Sequence, residues 1–176
     1  MKQQFPDYTN CIANLANSIS EEFGINKGGH KLKILDEYLK KDYENIVVIL
    51  LDGMGKCIIQ KNLEQDGFFN SHIVGTYSSV FPPTTVASTT SMITGLTPCE
   101  HSWLGWDCYY PQIDKNVTVF LNKENGTDKP AADYNIAWTY CGYESVVSKI
   151  KKNGGNTFEV TQTLLLEPMQ GLQRMR

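Results

Sequence analysis

The chain's strongest constraint is the run Asn45-Ile46-Val47-Val48-Ile49-Leu50-Leu51-Asp52-Gly53-Met54-Gly55. Six apolar residues, four of them the β-branched Ile46, Val47, Val48 and Ile49, lead straight into a carboxylate and two glycines. The run falls far short of the roughly 20 residues that cross a bilayer, and it does not alternate. Such a run predicts a strand buried on both faces, as in the middle of a parallel sheet. Ligands of open α/β sheets bind beyond the carboxyl ends of the strands, which is where Asp52 would stand. The glycines behind it allow a sharp turn and a close approach of backbone to ligand. A lone acid in that place calls for a partner, and a metal ion supplies one.

Other readings of this segment are weaker or level. Gly53-Met54-Gly55-Lys56 falls short of a phosphate loop, which needs Gly at Leu50 and Ser or Thr at Cys57. The dinucleotide fingerprint fails because its third glycine would fall on Ile58. Capping of a helix that starts near Lys56 explains Asp52 as well as metal binding does, on this segment alone.

A second segment shifts that balance. Phe81-Pro82-Pro83-Thr84-Thr85-Val86-Ala87-Ser88-Thr89-Thr90-Ser91-Met92-Ile93-Thr94-Gly95 carries a helix start signal at its threonines and a stop signal at Gly95. Its small residues predict tight packing against a sheet. A hydroxyl at such an N-terminus sits among free N–H groups at the positive end of the dipole, a setting that favours an anionic substrate. Ordinary capping is the plainer explanation of the threonines taken alone.

Together the segments resemble the alkaline phosphatase superfamily, in its type I phosphodiesterase/nucleotide pyrophosphatase branch. The resemblance rests on Leu51-Asp52-Gly53-Met54-Gly55, on Phe81-Pro82-x-Thr84-Thr85 with Thr94-Gly95, and on Leu96-Thr97-Pro98-Cys99-Glu100-His101. Trp103-Leu104-Gly105-Trp106 extends it, and the motifs span roughly the first two-thirds of the chain. The resemblance implies an α/β fold with a mostly parallel central sheet flanked by helices. It implies a hydrolase of phosphate diesters or nucleotide pyrophosphates, using two divalent metal ions, usually zinc. Asp52 matches the first metal-binding aspartate. Counting back from Thr94-Gly95, Thr85 rather than Thr84 matches the threonine nucleophile, which is also a metal ligand. A sulfatase fits poorly, because Cys99 lacks the Cys-x-Pro-x-Arg setting. A phosphomutase of the same superfamily is a weaker match around Thr85.

The chain also departs from this pattern. The family's other ligands form an Asp-x-x-x-His, an Asp-His pair and a distant His. Here the three histidines are His30, His72 and His101, and none follows Asp at either spacing. Asp52 and Thr85 are two ligands where zinc takes three or four from protein. His101 is expected to buttress its loop. Residues 1–160 are therefore expected to be the N-terminal part of one alkaline-phosphatase-like domain, with 161–176 an atypical tail. A catalytically inactive fragment or non-enzymatic remnant is the competing expectation.

Composition excludes little else. Sixteen basic and nineteen acidic residues give a net charge of −3, which offers no electrostatic case for nucleic acid. Five cysteines without CxxC spacing, and no export signal at the N-terminus, are read as reduced thiols in a cytoplasmic protein. The expected partner is a small phosphate ester or nucleotide, without a membrane.

Helices are predicted from Cys11 to Phe23, Leu32 to Leu39, Lys56 to Glu64 and Glu144 to Lys152. Ile73 to Val80 and Thr157 to Val160 are predicted as strands. Trp103 to Tyr110 and Val117 to Leu121 are expected to be strands or a site loop, with aromatics packing a core edge more readily than stacking on substrate.

Overall fold

A computed structural model describes residues 5–25 and 29–160. The tail 161–176 lies outside the described residues. Eight α-helices order the described chain: α1 (Ile12–Glu22), α2 (Lys33–Leu39), α3 (Lys56–Asn62), α4 (Phe68–Ser71), α5 (Thr85–Thr94), α6 (Pro98–His101), α7 (Ile136–Cys141) and α8 (Val146–Lys152). Three short strands, β1 (Asp107–Tyr110), β2 (Lys115–Thr118) and β3 (Lys123–Glu124), lie between α6 and α7.

The helical wall is built from small side chains. Ala13 and Ala16 of α1 let it approach α5 closely, and α5 buries Val86, Ala87, Thr90, Ser91 and Thr94. Cys11, Ile12, Ala13, Val80 and Ala87 form one core cluster, and Ala16 joins Val146 and Ile150 of α8 in another. The small residues of α5 thus seat it on a helix, not on the expected sheet. Gly95 ends α5 with φ 73°, and a Cβ there would collide with Asn17 of α1, so the stop signal is also a packing requirement. Ser18 ties α1 to α2 by accepting the Leu32 N–H at 2.9 Å and donating to Asp36 Oδ1 at 2.6 Å.

The second unit is an aromatic core under the sheet. Strands β1, β2 and β3 pair antiparallel in that order, with Cys108 opposite Val117 and Thr118 opposite Lys123. Val86, Trp103, Tyr110, Val117, Val119, Phe120 and Ile136 form its buried centre. Trp103 is 1% exposed and donates its indole N–H to Cys141 O at 2.7 Å. Its ring meets Phe120, Trp138 and Tyr143 at centroid distances of 5.7, 5.7 and 5.4 Å. Burying aromatics this way, with the polar edge satisfied, accounts for the stability of the region. Trp103 is therefore core, while Trp106 is half-exposed and rests edge-on against Phe120.

The expected central parallel sheet is not formed by the described residues. Residues 45–50 join no ladder, and Val47 and Ile49 are 81% and 76% exposed. The segment 73–80 makes one parallel bridge, Ser78 with Cys11, and 157–160 makes none. A strand's backbone groups pair only with another strand, so an apolar run, however strand-like, cannot build a sheet without partners. The antiparallel hairpin forms because its partners follow one another in the chain.

Candidate active site

Asp52 stands where the apolar run ends, followed by Gly53 at φ 67°. Helix α3 begins three residues later with Gly55 as its N-cap and no side-chain cap bond. Capping therefore does not explain Asp52.

The two threonines divide the work at the start of α5. Thr84 is the N-cap, and its hydroxyl accepts the Ala87 N–H at 3.2 Å. Thr85 is the first helical residue, so its side chain is released from capping. Its Oγ1 donates to Asp52 Oδ2 at 3.4 Å, across 33 residues of chain. The first-turn N–H groups of Thr85 and Val86 have no intrahelical carbonyl to meet, as at any helix start. The positive end of α5 and the Asp52 carboxylate thus flank one hydroxyl.

The approach to Thr85 is held by the N-terminal segment. Ser78 N–H donates to Asn10 O at 2.9 Å and Ser78 O accepts from Ile12 N–H at 3.0 Å. Asn10 Nδ2 donates to Thr76 O at 3.2 Å, and Asp7 N–H donates to Ser78 Oγ at 3.1 Å. The Tyr8 hydroxyl accepts the Phe81 N–H at 3.2 Å and donates to Phe81 O at 3.4 Å. Thr84 N–H then returns to Pro82 O at 2.9 Å, and the Ser79 and Ser88 hydroxyls are hydrogen-bonded to each other. Sequence reading missed Tyr8, because nothing local marks a tyrosine whose partner lies 73 residues away.

His101 is 3% exposed and takes part in the wall, not in the site. Its Nδ1 accepts the Trp103 N–H at 3.0 Å, which leaves Nε2 protonated and able to donate to Ser91 Oγ at 3.1 Å. Burial drives its pKa down to about 4, against the opposing pull of the Ala87 backbone and the Glu100 charge. This neutral imidazole buttresses the loop after α6, as expected. Helix α6 itself opens with a capping box the sequence reading passed over, Thr97 N–H and Oγ1 both donating to Glu100 Oε2 at 2.7 Å.

His30 and His72 are exposed and lie elsewhere, His72 stacking on Phe68 at 4.6 Å. Among the described residues no three His, Cys, Asp or Glu side chains gather as metal donors. A shallow cleft between β1 and the end of α7, lined by Ser102, Leu104, Tyr109, Tyr110 and Cys141, includes neither Asp52 nor Thr85.

An acid and a helix-start hydroxyl are thus set together at the end of the apolar run. The type I phosphodiesterase/nucleotide pyrophosphatase family model matches residues 46–160, more than half of the chain, and the chain belongs to that family. No curated protein and no solved structure matches it. The matched region starts at the apolar run, so α1, α2 and the segment that clasps Ser78 and Phe81 precede it.

Proposed function

We propose that these residues carry the nucleophile half of a hydrolase acting on phosphate diesters or nucleotide pyrophosphates. The observation that supports it best is the 3.4 Å bond from Thr85 to Asp52, made while the neighbouring Thr84 takes the cap. Thr85 Oγ1 attacks phosphorus in line with the leaving oxygen. The new Oγ1–P bond forms as the P–O bond to the leaving group breaks, and the hydroxyl proton departs to water. Water then hydrolyses the phosphothreonine ester, which returns Thr85 and releases the phosphoryl product. The start of α5 places N–H groups beside the phosphoryl oxygens.

The family's metals fit this site only in part. Two oxygens 3.4 Å apart suit two ligands of one zinc ion, whose Zn–O bonds are about 2.0–2.2 Å. Zinc takes three or four protein ligands, and the described residues bring together only these two. The active enzyme draws its other donors from beyond them.

The experiment is zinc-supplemented hydrolysis of bis-p-nitrophenyl phosphate. The chain by itself is expected to match buffer. Turnover that is lost on chelation would overturn the incompleteness of the site. Wherever the remaining donors are supplied, Thr85→Ala is expected to lower the rate by at least about 10³-fold. Retained activity in that variant would remove Thr85 as nucleophile.

A further inference from the structure

We infer that Tyr8, outside the family-matched region, is a positioning residue for Thr85. The inference rests on Thr85 being the nucleophile, and its argument begins with backbone geometry. The Tyr8 hydroxyl, at once donor and acceptor, meets the N–H and the C=O of Phe81 at 3.2 and 3.4 Å. It ties down both backbone polar groups of Phe81 at the bend that leads into Pro82.

The consequence reaches Thr85 through four residues. Phe81 precedes Pro82, whose carbonyl accepts the Thr84 N–H at 2.9 Å, and Thr84 caps the helix on which Thr85 is first. Upstream, Ser78 is bound on both sides by Asn10 and Ile12, so the segment is fixed at 78 and again at 81. Removing the Tyr8 hydroxyl releases the second fixed point and leaves the first. The body of α5 stays seated through Val86 and Ala87, but the turn before Thr85 is then held only by the Thr84 cap and the Ser79–Ser88 contact. Asp52 offers no compensation, because it sits on a segment with no packing of its own. The site is held from the Thr85 side, and Tyr8 is the hydroxyl that holds it there.

The test reads the Asp52–Thr85 approach directly, without catalysis. In a Cys57→Ser, Cys99→Ser background, Asp52→Cys with Thr85→Cys places two thiols at the site. Closure of their disulfide under oxidised glutathione is timed by alkylation and mass spectrometry. Tyr8→Phe is expected to slow closure about tenfold, the effect of losing hydrogen bonds together worth about 1.4 kcal/mol. Ser78→Ala, which removes the Oγ contacts to Asp7 but keeps the backbone bonds to Asn10 and Ile12, is expected to slow it less than Tyr8→Phe. Ile136→Val, in the aromatic core, is expected to leave the rate unchanged at a comparable loss of Tm. Equal rates with and without the Tyr8 hydroxyl overturn the proposal, as does failure of the parent pair to close. Equal slowing by Ile136→Val also overturns it, since the effect would then be one of general stability. Activity surviving in Thr85→Ala would instead overturn the nucleophile reading and leave the cross-linking result standing.

Discussion

Two stretches of similar apolar content behave in opposite ways. From Phe81 to Ile150 the chain buries Val86, Trp103, Val117 and Ile136 completely or nearly so. Between Leu39 and Val80 no residue is buried, although the stretch contains Ile46 to Leu51, Ile58, Phe68 and Phe69. Helices α3 and α4 bury nothing, whereas α5 buries residues on every turn and α7 buries Ile136 and Ala137 in its first. The difference is one of range. The packed stretch finds partners nearby in sequence or in α1, while the bare one is composed for neighbours that the described residues do not provide. The candidate site straddles the boundary, with Thr85 on the packed side and Asp52 on the bare one.

Amide exchange gives the largest expected contrast. Amides of 45–75 are expected to exchange about 10³-fold faster than those of α1, α5 and β2, because local opening there exposes nothing that was buried. Matched protection would mean that the apolar run has found a strand partner. Side-chain truncation comes next. Ile136→Ala removes a fully buried side chain and is expected to cost about 2–5 kcal/mol in denaturant unfolding. Ile49→Ala is expected to change stability by less than about 0.5 kcal/mol. Similar costs at the two positions would erase the contrast.

The packed side should also carry a pH signature that the bare side lacks. His101 has a folded-state pKa of about 4 against an ordinary 6.5, so the unfolded chain binds more protons between those values. Stability is then full above about pH 6.5 and falls as pH drops, by roughly 2 kcal/mol at pH 5 and roughly 3 kcal/mol at pH 4. His101→Gln should start from lower stability yet show a flatter slope across this window. An unchanged slope would place the titration elsewhere.

Local signals carried much of this structure. The periodicity from Cys11 to Phe23 predicts α1, and Thr84 with Gly95 marks both ends of α5, because caps and stripes act within a few residues. Asp52 and Thr85 were legible through motif resemblance, and the coordinates bring them into contact. What local pattern could not give is pairing. The run at 46–51 has every property of a central strand except neighbours, and neighbours are a non-local fact. The same limit hid Tyr8, and it let the small face of α5 suggest a sheet where α1 packs. Helix α7 was missed for a different reason. Four of its six residues, Ile136, Trp138, Thr139 and Tyr140, are aromatic or β-branched, and the Asn135 side chain starts it by accepting the Trp138 N–H at 2.9 Å.

The smallest expected effect separates the two threonines. Thr84→Ala removes an N-cap, which costs about 1 kcal/mol of stability. Helix α5 keeps its burial against α1 and the aromatic core, so it shortens or frays by a turn at most. Thr85 lies in that turn, and its bond to Asp52 at 3.4 Å is already long, so some loss of alignment follows. The measurable outcome is a small drop in Tm with a modest fall in any phosphodiesterase rate, far less than the loss in Thr85→Ala. Thr84→Ser, which keeps the capping oxygen, should restore Tm. Equal losses at positions 84 and 85 would show that the start of α5 is structural throughout, and the boundary between the packed and bare stretches would then hold no chemistry.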